Sequence, residues 1–165
     1  MANTEIIDII DRNNNVIGSA SVNTAHEQNL MHRVVGVFVF DANDGDLYFQ
    51  TDNKYGKLDI AVGGHVQKGE TCEAAAQREM LEEIGLKEPL QCISTFLPEN
   101  TRFNHYWSIY ETIAPLGWKF KETEEVKKLG KKKILDIISL MESNPNLFTG
   151  GFKNVMKEFI RVKNI

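Results

Sequence analysis

The stretch "GGHVQKGETCEAAAQREMLEEIGL", residues 63–86, decides how this chain is read. It opens on paired glycines, crosses a polar turn and becomes strongly helical after Thr71. Thr71 suits an N-cap, three alanines favour the helix, and Gly85 supplies the stop. On that helix Glu79 and Glu83 are i,i+4 neighbours, with Glu82 at i+3 from Glu79. Like charges at this spacing oppose the helix by roughly 0.2–0.5 kcal/mol per pair. Taken alone, "REMLEE" reads as a solvated acidic face on which Arg78 reaches Glu82.

The flanks reverse that reading. Gly64, Glu70, Arg78, Glu79, Glu82, Glu83 and Gly85 fill every fixed place of the pattern G-x5-E-x7-R-E-U-x-E-E-x-G-U, U being a bulky apolar residue. Met80 and Leu86 take the apolar places. At residue frequencies near 7 %, seven fixed positions coincide by accident in roughly one window in 10^8. The pattern resembles the Nudix box, and the strand–loop–helix order resembles the Nudix hydrolase fold over nearly the whole chain. The resemblance implies an α/β class: an α/β/α sandwich with a central mixed sheet, formed as a single domain over residues 1–165. Residues 1–30 are expected to be an N-terminal strand extension with a short helix.

The chemistry is intelligible from the residues. Hard divalent cations prefer carboxylate oxygens and keep waters that phosphate oxygens replace. Such a cation neutralises a diphosphate that an acidic chain repels, and acidifies an attacking water. The resemblance implies Mg²⁺ or Mn²⁺ held by Glu79, Glu82, Glu83 and the carbonyl of Gly63. It makes Glu79 or a downstream acid the general base. Arg78 is expected to orient the glutamates, Glu70 to hold the loop to the helix, and Gly64 and Gly85 to shape its two ends. A fourth acid from outside the box is usual in the family; Glu99, Glu111, Glu122, Glu124 and Glu125 are candidates. Glu125 is preferred, because "EEVKKL" precedes the last apparent strand and can bring a loop over the helix.

Composition is ordinary for a soluble globular protein. A formal net charge of −4 gives no general attraction to nucleic acid or anionic membrane, so a polyanionic substrate needs local cations. The start "MANTEIIDIIDRNNN" has no basic segment leading into an apolar run, and a cytoplasmic protein is expected. Cys72 and Cys92 have no metal-type pairing and read as reduced thiols. The expected partner is a small-molecule diphosphate, with neither nucleic acid nor membrane; the N-terminal strands leave a homodimer open.

Along the chain, "EIIDII" and "VIGSASV" read as strands around "DRNNN", and "TAHEQNL" as a short helix. "HRVVGVFVFD" reads as a buried strand, with an Asp44-Gly45 turn leading to "LYFQT". "DNKYGKLDIAVGGH" reads as a loop, and "PLQCISTFL" and "RFNHYWSIYETI" as strands. "KKKILDIISLM" reads as a helix ending at Asn144-Pro145. Thr149 caps a last helix whose apolar stripe is Phe152, Val155, Met156, Phe159 and Ile160. Lys127, Lys128, Lys131, Lys132 and Lys133 read chiefly as solvated surface.

The four histidines draw a narrower comparison. "HEQNLMHRVVGVFVFD" and "GGHV" resemble isopentenyl-diphosphate isomerase, in which three histidines and two glutamates hold a metal beside a catalytic cysteine. His26, His32 and His65 fall at or near the histidine places, and His105 near a glutamate place. The departures are that Gly63 stands at the cysteine's place, the paired acids are absent, and the Nudix box is intact. Each histidine singly reads as a surface or hydrogen-bonded residue; a second metal site from His26, His32, His65 and His105 is the alternative. Hydrolysis of a diphosphate linkage is the leading expectation. An isomerase-like enzyme and a non-catalytic ligand-sensing domain are the rivals. Substrate choice is assigned to loops 51–60, 98–104 and 114–125. The isomerase-like branch that the chain resembles often has an arginine after this strand; "FQTDNK" has none, so a phosphate-binding role there stands only if Lys54 or Lys57 supplies it. Tyr48, Phe49, Phe103, Tyr106 and Trp107 are candidates to stack on a base.

Overall fold

In the computed structural model, which describes residues 5–99 and 101–165, two strands, β1 (Ile6–Ile10) and β2 (Val16–Ser21), form a hairpin and α1 (Val22–Glu27) follows. The start of the expected extension, residues 1–4, and Asn100 in the expected 98–104 loop lie outside the described residues. Next come β3 (His32–Asp41), β4 (Leu47–Thr51), β5 (Leu58–Ile60), β6 (Val62–His65) and α2 (Cys72–Ile84). The chain closes with β7 (Gln91–Phe96), β8 (His105–Ala114), β9 (Leu129–Lys132), α3 (Ile134–Ser143), a 3-10 turn at Pro145–Leu147, and α4 (Gly150–Lys163).

The Val- and Phe-rich β3 is the axis of the sheet because both its faces and both its edges are covered. It pairs in parallel with β8 from His32↔His105 to Asp41↔Ala114. It also pairs antiparallel with β1 at His32, with β6 over residues 34–37, and with β4 at Phe40. Parallel and antiparallel neighbours make the sheet mixed, as the fold expectation required.

Strand alternation then sorts β3 into two layers. Val35, Val37 and Val39 pack with Ala75, Ala76, Met80 and Ile84 of α2. Val34 and Phe38 pack with Phe152, Val155, Met156 and Phe159 of α4. Each face of the sheet is thereby covered by a helix, giving the α/β/α layering. The α4 stripe is the expected one, and Thr149 caps it by accepting from the Phe152 N–H at 3.1 Å.

Two readings need correction. Part of "DNKYGKLDIAVGGH" is strand: β5 pairs with β4 and β6 with β3, so the segment entering the box belongs to the sheet. Lys131 and Lys132 lie on β9 and only Lys133 stands at the entrance of α3. Nor is Lys131 merely solvated: its ammonium donates to Asp41 and Asp44 at 2.5 Å each. That contact clips β9 to the end of β3 and its turn. Among the described residues no helix is long and apolar enough to cross a membrane.

Candidate active site

The helix α2 is fixed at both ends by the residues the sequence marks. Thr71 Oγ1 accepts from the Ala74 N–H at 3.1 Å, and Gly85, at φ 65°, ends the helix in the left-handed region. With the apolar face of α2 turned to the sheet, Glu79 and Glu83 are carried to its margin and buried beside β6.

There β6 is built to receive them. A Cβ on residue 64 would collide with the Glu79 carboxylate, so the close approach of strand and helix requires glycine. The Gly63 N–H donates to Glu83 Oε2 at 2.8 Å. On the other oxygen, the Gln50 amide reaches Glu83 Oε1 from β4 at 3.3 Å.

Arg78 ties the remaining parts together. It grips Glu70 through two bonds of 3.0 Å and donates to Glu79 at 2.8 Å, to Glu82 at 3.1 Å and to the His65 carbonyl at 3.0 Å. Glu70 also accepts from the Gln67 N–H at 3.0 Å, so it locks the loop to the helix as expected. Glu82 is more exposed and meets only the edge of this network.

The charges do not balance. Glu70, Glu79 and Glu82 share the guanidinium of Arg78, which Glu5 also approaches to 3.9 Å, and among the described residues Glu83 has no ion pair. Burial pushes the Glu79 carboxyl up to about 7 against the pull of Arg78, and the Glu83 carboxyl up to about 8. For Glu70 burial acts upward too, but the bonds from Arg78 and the Gln67 N–H outweigh it and hold the group low. Buried, acceptor-only oxygens lacking positive charge are the donor set that a hard divalent cation takes, so the residues fit Mg²⁺ or Mn²⁺.

The loop between β8 and β9 lies over the end of α2. Thr123 Oγ1 donates to the Glu83 carbonyl at 2.8 Å, and Asn53 donates to the Glu125 carbonyl at 3.3 Å. The charge of Glu125 contributes to the raised pKa of Glu83. The preferred fourth acid is therefore near the cluster, while its side chain stays exposed. Gln50 and Thr123 were not picked out by sequence reasoning; both lie far along the chain from the helix they serve, and neither residue type signals a role. Of the aromatic candidates, Trp107 is core, Phe49 packs against it, and Tyr48 donates to Asp41 at 2.9 Å.

All four histidines converge elsewhere. One ligand atom from each of His26, His32, His65 and His105 lies within 4.8 Å of the others. His26 and His65 face each other through Nε2 at 3.2 Å, and Phe103 stacks on His26 and His105. Nδ1 of His32 lies 2.7 Å from the Leu30 carbonyl, whereas His32 Nε2 and His105 Nε2 are buried with no hydrogen-bond partner among the described residues. Each such orphaned atom opposes folding by about 1–3 kcal/mol. Burial lowers all four imidazoles, His65 and His105 to about 3, so none is protonated at neutral pH.

Comparison with known proteins places this geometry. The chain is 31% identical to isopentenyl-diphosphate Delta-isomerase 2 of Photorhabdus laumondii, with 92% of this chain and 90% of that protein covered. It is 32% identical to an uncharacterised Nudix hydrolase of Nostoc sp., covering 67% of this chain and 70% of that one. Among solved structures it resembles DR0079 from Deinococcus radiodurans, with a TM-score of 0.76 at 21% identity, over 93% of this chain and 97% of that one. The NUDIX domain profile matches residues 30–135, which hold the box, β3 and the loop over α2, and the chain therefore belongs to the Nudix family.

Proposed function

We propose that the chain is a Mg²⁺- or Mn²⁺-dependent hydrolase that splits a diphosphate linkage in a nucleotide or another small-molecule diphosphate. The observation that carries this reading is the burial of Glu79 and Glu83 side by side with too little positive charge around them. Glu79, Glu82, Glu83 and the Gly63 carbonyl would hold the cation. When bound, it offsets the diphosphate's charge and acidifies water for attack on phosphorus.

The chain's own residues prepare that step. The Gly63 N–H and Gln50 fix the two oxygens of Glu83, and Arg78 holds Glu79 and Glu82 in line on the helix. Glu70 keeps the entering loop against Arg78, so the glutamates meet the substrate without first reorganising. Glu79 or Glu125 takes the proton of the attacking water. Substrate choice falls to loops 51–60, 98–104 and 114–125.

A second reading, isomerisation of isopentenyl diphosphate, is favoured by the P. laumondii relative. Against it, residue 63 is glycine, and the two cysteines lie elsewhere, Cys72 opening α2 and Cys92 exposed on β7.

The test is a product screen with Mg²⁺ and Mn²⁺ over nucleoside triphosphates, sugar nucleotides, dinucleotides, coenzyme A and isopentenyl diphosphate. Cleavage of at least one compound, abolished in Glu83→Gln, supports hydrolysis. Double-bond migration in isopentenyl diphosphate without cleavage of any compound would replace it with the second reading. Tight binding with no turnover anywhere would make the protein a ligand sensor.

A further inference from the structure

We propose that Tyr55 is a stacking platform for the base of a nucleoside diphosphate whose phosphates meet the carboxylate site. The inference rests on the hydrolase reading and narrows it, from any small diphosphate to a nucleotide-based one. The rings expected to stack on a base are largely engaged elsewhere. Trp107 and Phe49 belong to the layer of α4, Tyr48 donates to Asp41, and Phe103 stacks on His26 and His105. Tyr55 is different: it is 63% exposed and belongs to none of the core clusters.

The turn that carries Tyr55, between β4 and β5, is fixed from within. The Asp52 carboxylate accepts from the N–H groups of Lys54, Tyr55 and Lys57 at 2.9, 2.7 and 2.7 Å. The Asp52 N–H donates to the Lys57 carbonyl at 2.7 Å, and the Gly56 N–H donates to the Asp52 carbonyl at 3.1 Å. Gly56 lies at φ 65°, where a side chain would be strained. A turn closed in this way presents Tyr55 with little left to order when a ligand arrives.

The same turn is tied to the carboxylates. Gln50, whose amide reaches Glu83, precedes it on β4. Even a fully extended chain would carry Tyr55 no more than about 17 Å from Gln50, and the closed turn shortens that span. Asn53 donates to the Glu125 carbonyl at 3.3 Å, joining the turn to the loop that Thr123 anchors on the Glu83 carbonyl. A ligand with its phosphates at the glutamates thus has Tyr55 within reach of its far end.

What the ring offers selects that end. The Lys54 ammonium stands over the Tyr55 ring, 4.9 Å from its centroid. It meets the ring's attraction for positive charge and repels a second cation, so a cationic ligand is disfavoured. A saturated prenyl chain gains by enclosure, which an exposed turn does not provide. A neutral planar base gains from one open face, and the phosphates attached to it carry the charge that Lys54 favours.

The test uses ligands that cannot be split at the bridge: adenosine 5′-(α,β-methylene)diphosphate and base-free methylenediphosphonate. Each is titrated calorimetrically, in millimolar Mg²⁺, into the wild type, Tyr55→Ala and Tyr55→Phe, with the adenine protons followed by NMR. The wild type should bind the nucleoside compound at least about 10-fold more tightly than the base-free one. Its adenine protons should move upfield in the ring current of Tyr55. Tyr55→Ala should erase the preference and the upfield shift while leaving methylenediphosphonate binding unchanged, and Tyr55→Phe should keep both. Equal affinities in the wild type, no binding of either compound, or a preference that survives in Tyr55→Ala would overturn the platform. A missing preference alongside cleavage in the product screen overturns the platform alone. An intact preference with no cleavage of any compound removes the hydrolase reading alone.

Discussion

Gly64 shows how narrowly one residue constrains the site. Gly64→Ala places a methyl where the Glu79 carboxylate lies, so the glutamate must swing away. Hydrolysis should fall on the order of 100-fold, because displacements of about 1 Å have that effect on positioned groups. Steady-state kinetics together with a thermal melt would separate this from unfolding. Glu83→Gln should abolish turnover and yet raise the melting temperature of metal-free protein at pH 8. The sign follows from burial: with its carboxyl raised to about 8, the folded chain must surrender a proton unwillingly where the unfolded chain has already done so. Calorimetry in chelator should show a gain of a few degrees for the variant at pH 8, fading toward pH 5. A lower melting temperature at pH 8 would mean that Glu83 is stabilised by charge.

At the scale of elements, α2 and the strand before it are one device, and only half of it was legible. Cap, stop and carboxylate spacing lie in a contiguous run, so Thr71, Gly85 and the glutamates could be placed from sequence. The strand β6 could not, because "VGGH" is four residues with two glycines and has no alternation to detect. Similarly β9 is short and basic, and its lysines read as the start of α3. Gln50, Thr123 and the meeting of four histidines depend on pairings between distant segments, which no local pattern encodes. Gly85→Ala should destabilise the fold by about 1 kcal/mol, read from a urea midpoint, since φ is 65° there. Thr123→Val removes the bond to the Glu83 carbonyl and frees the covering loop. It should raise KM several-fold with a smaller effect on kcat, as measured on whichever diphosphate the screen identifies.

For the whole molecule, two buried clusters pull the pH response in opposite directions. His65 and His105 stay neutral in the fold down to about pH 3, while unfolded histidines take up protons below about 6.5. Stability therefore falls as the medium is acidified through that window. Glu79 and Glu83 hold protons up to about 7 and 8, which unfolded glutamates lose near 4.5, so stability also falls as pH rises toward 8. Metal-free protein should be most stable between about pH 4.5 and 6.5. Millimolar Mg²⁺ should flatten the alkaline decline and leave the acidic one unchanged. A melting series across pH, with and without the ion, checks both limbs.

The alternation along β6 has an evolutionary consequence. Because neighbouring positions of that strand look out on different chemistries, losing one amino acid ahead of Gly63 would turn the imidazole of His65 toward Glu79 and bring Val66 to the other histidines. The carboxylate site and the packing of the histidine cluster would be disrupted in a single event. Diversification in such a lineage is thereby channelled into the connecting loops, where length can drift without trading one face for the other.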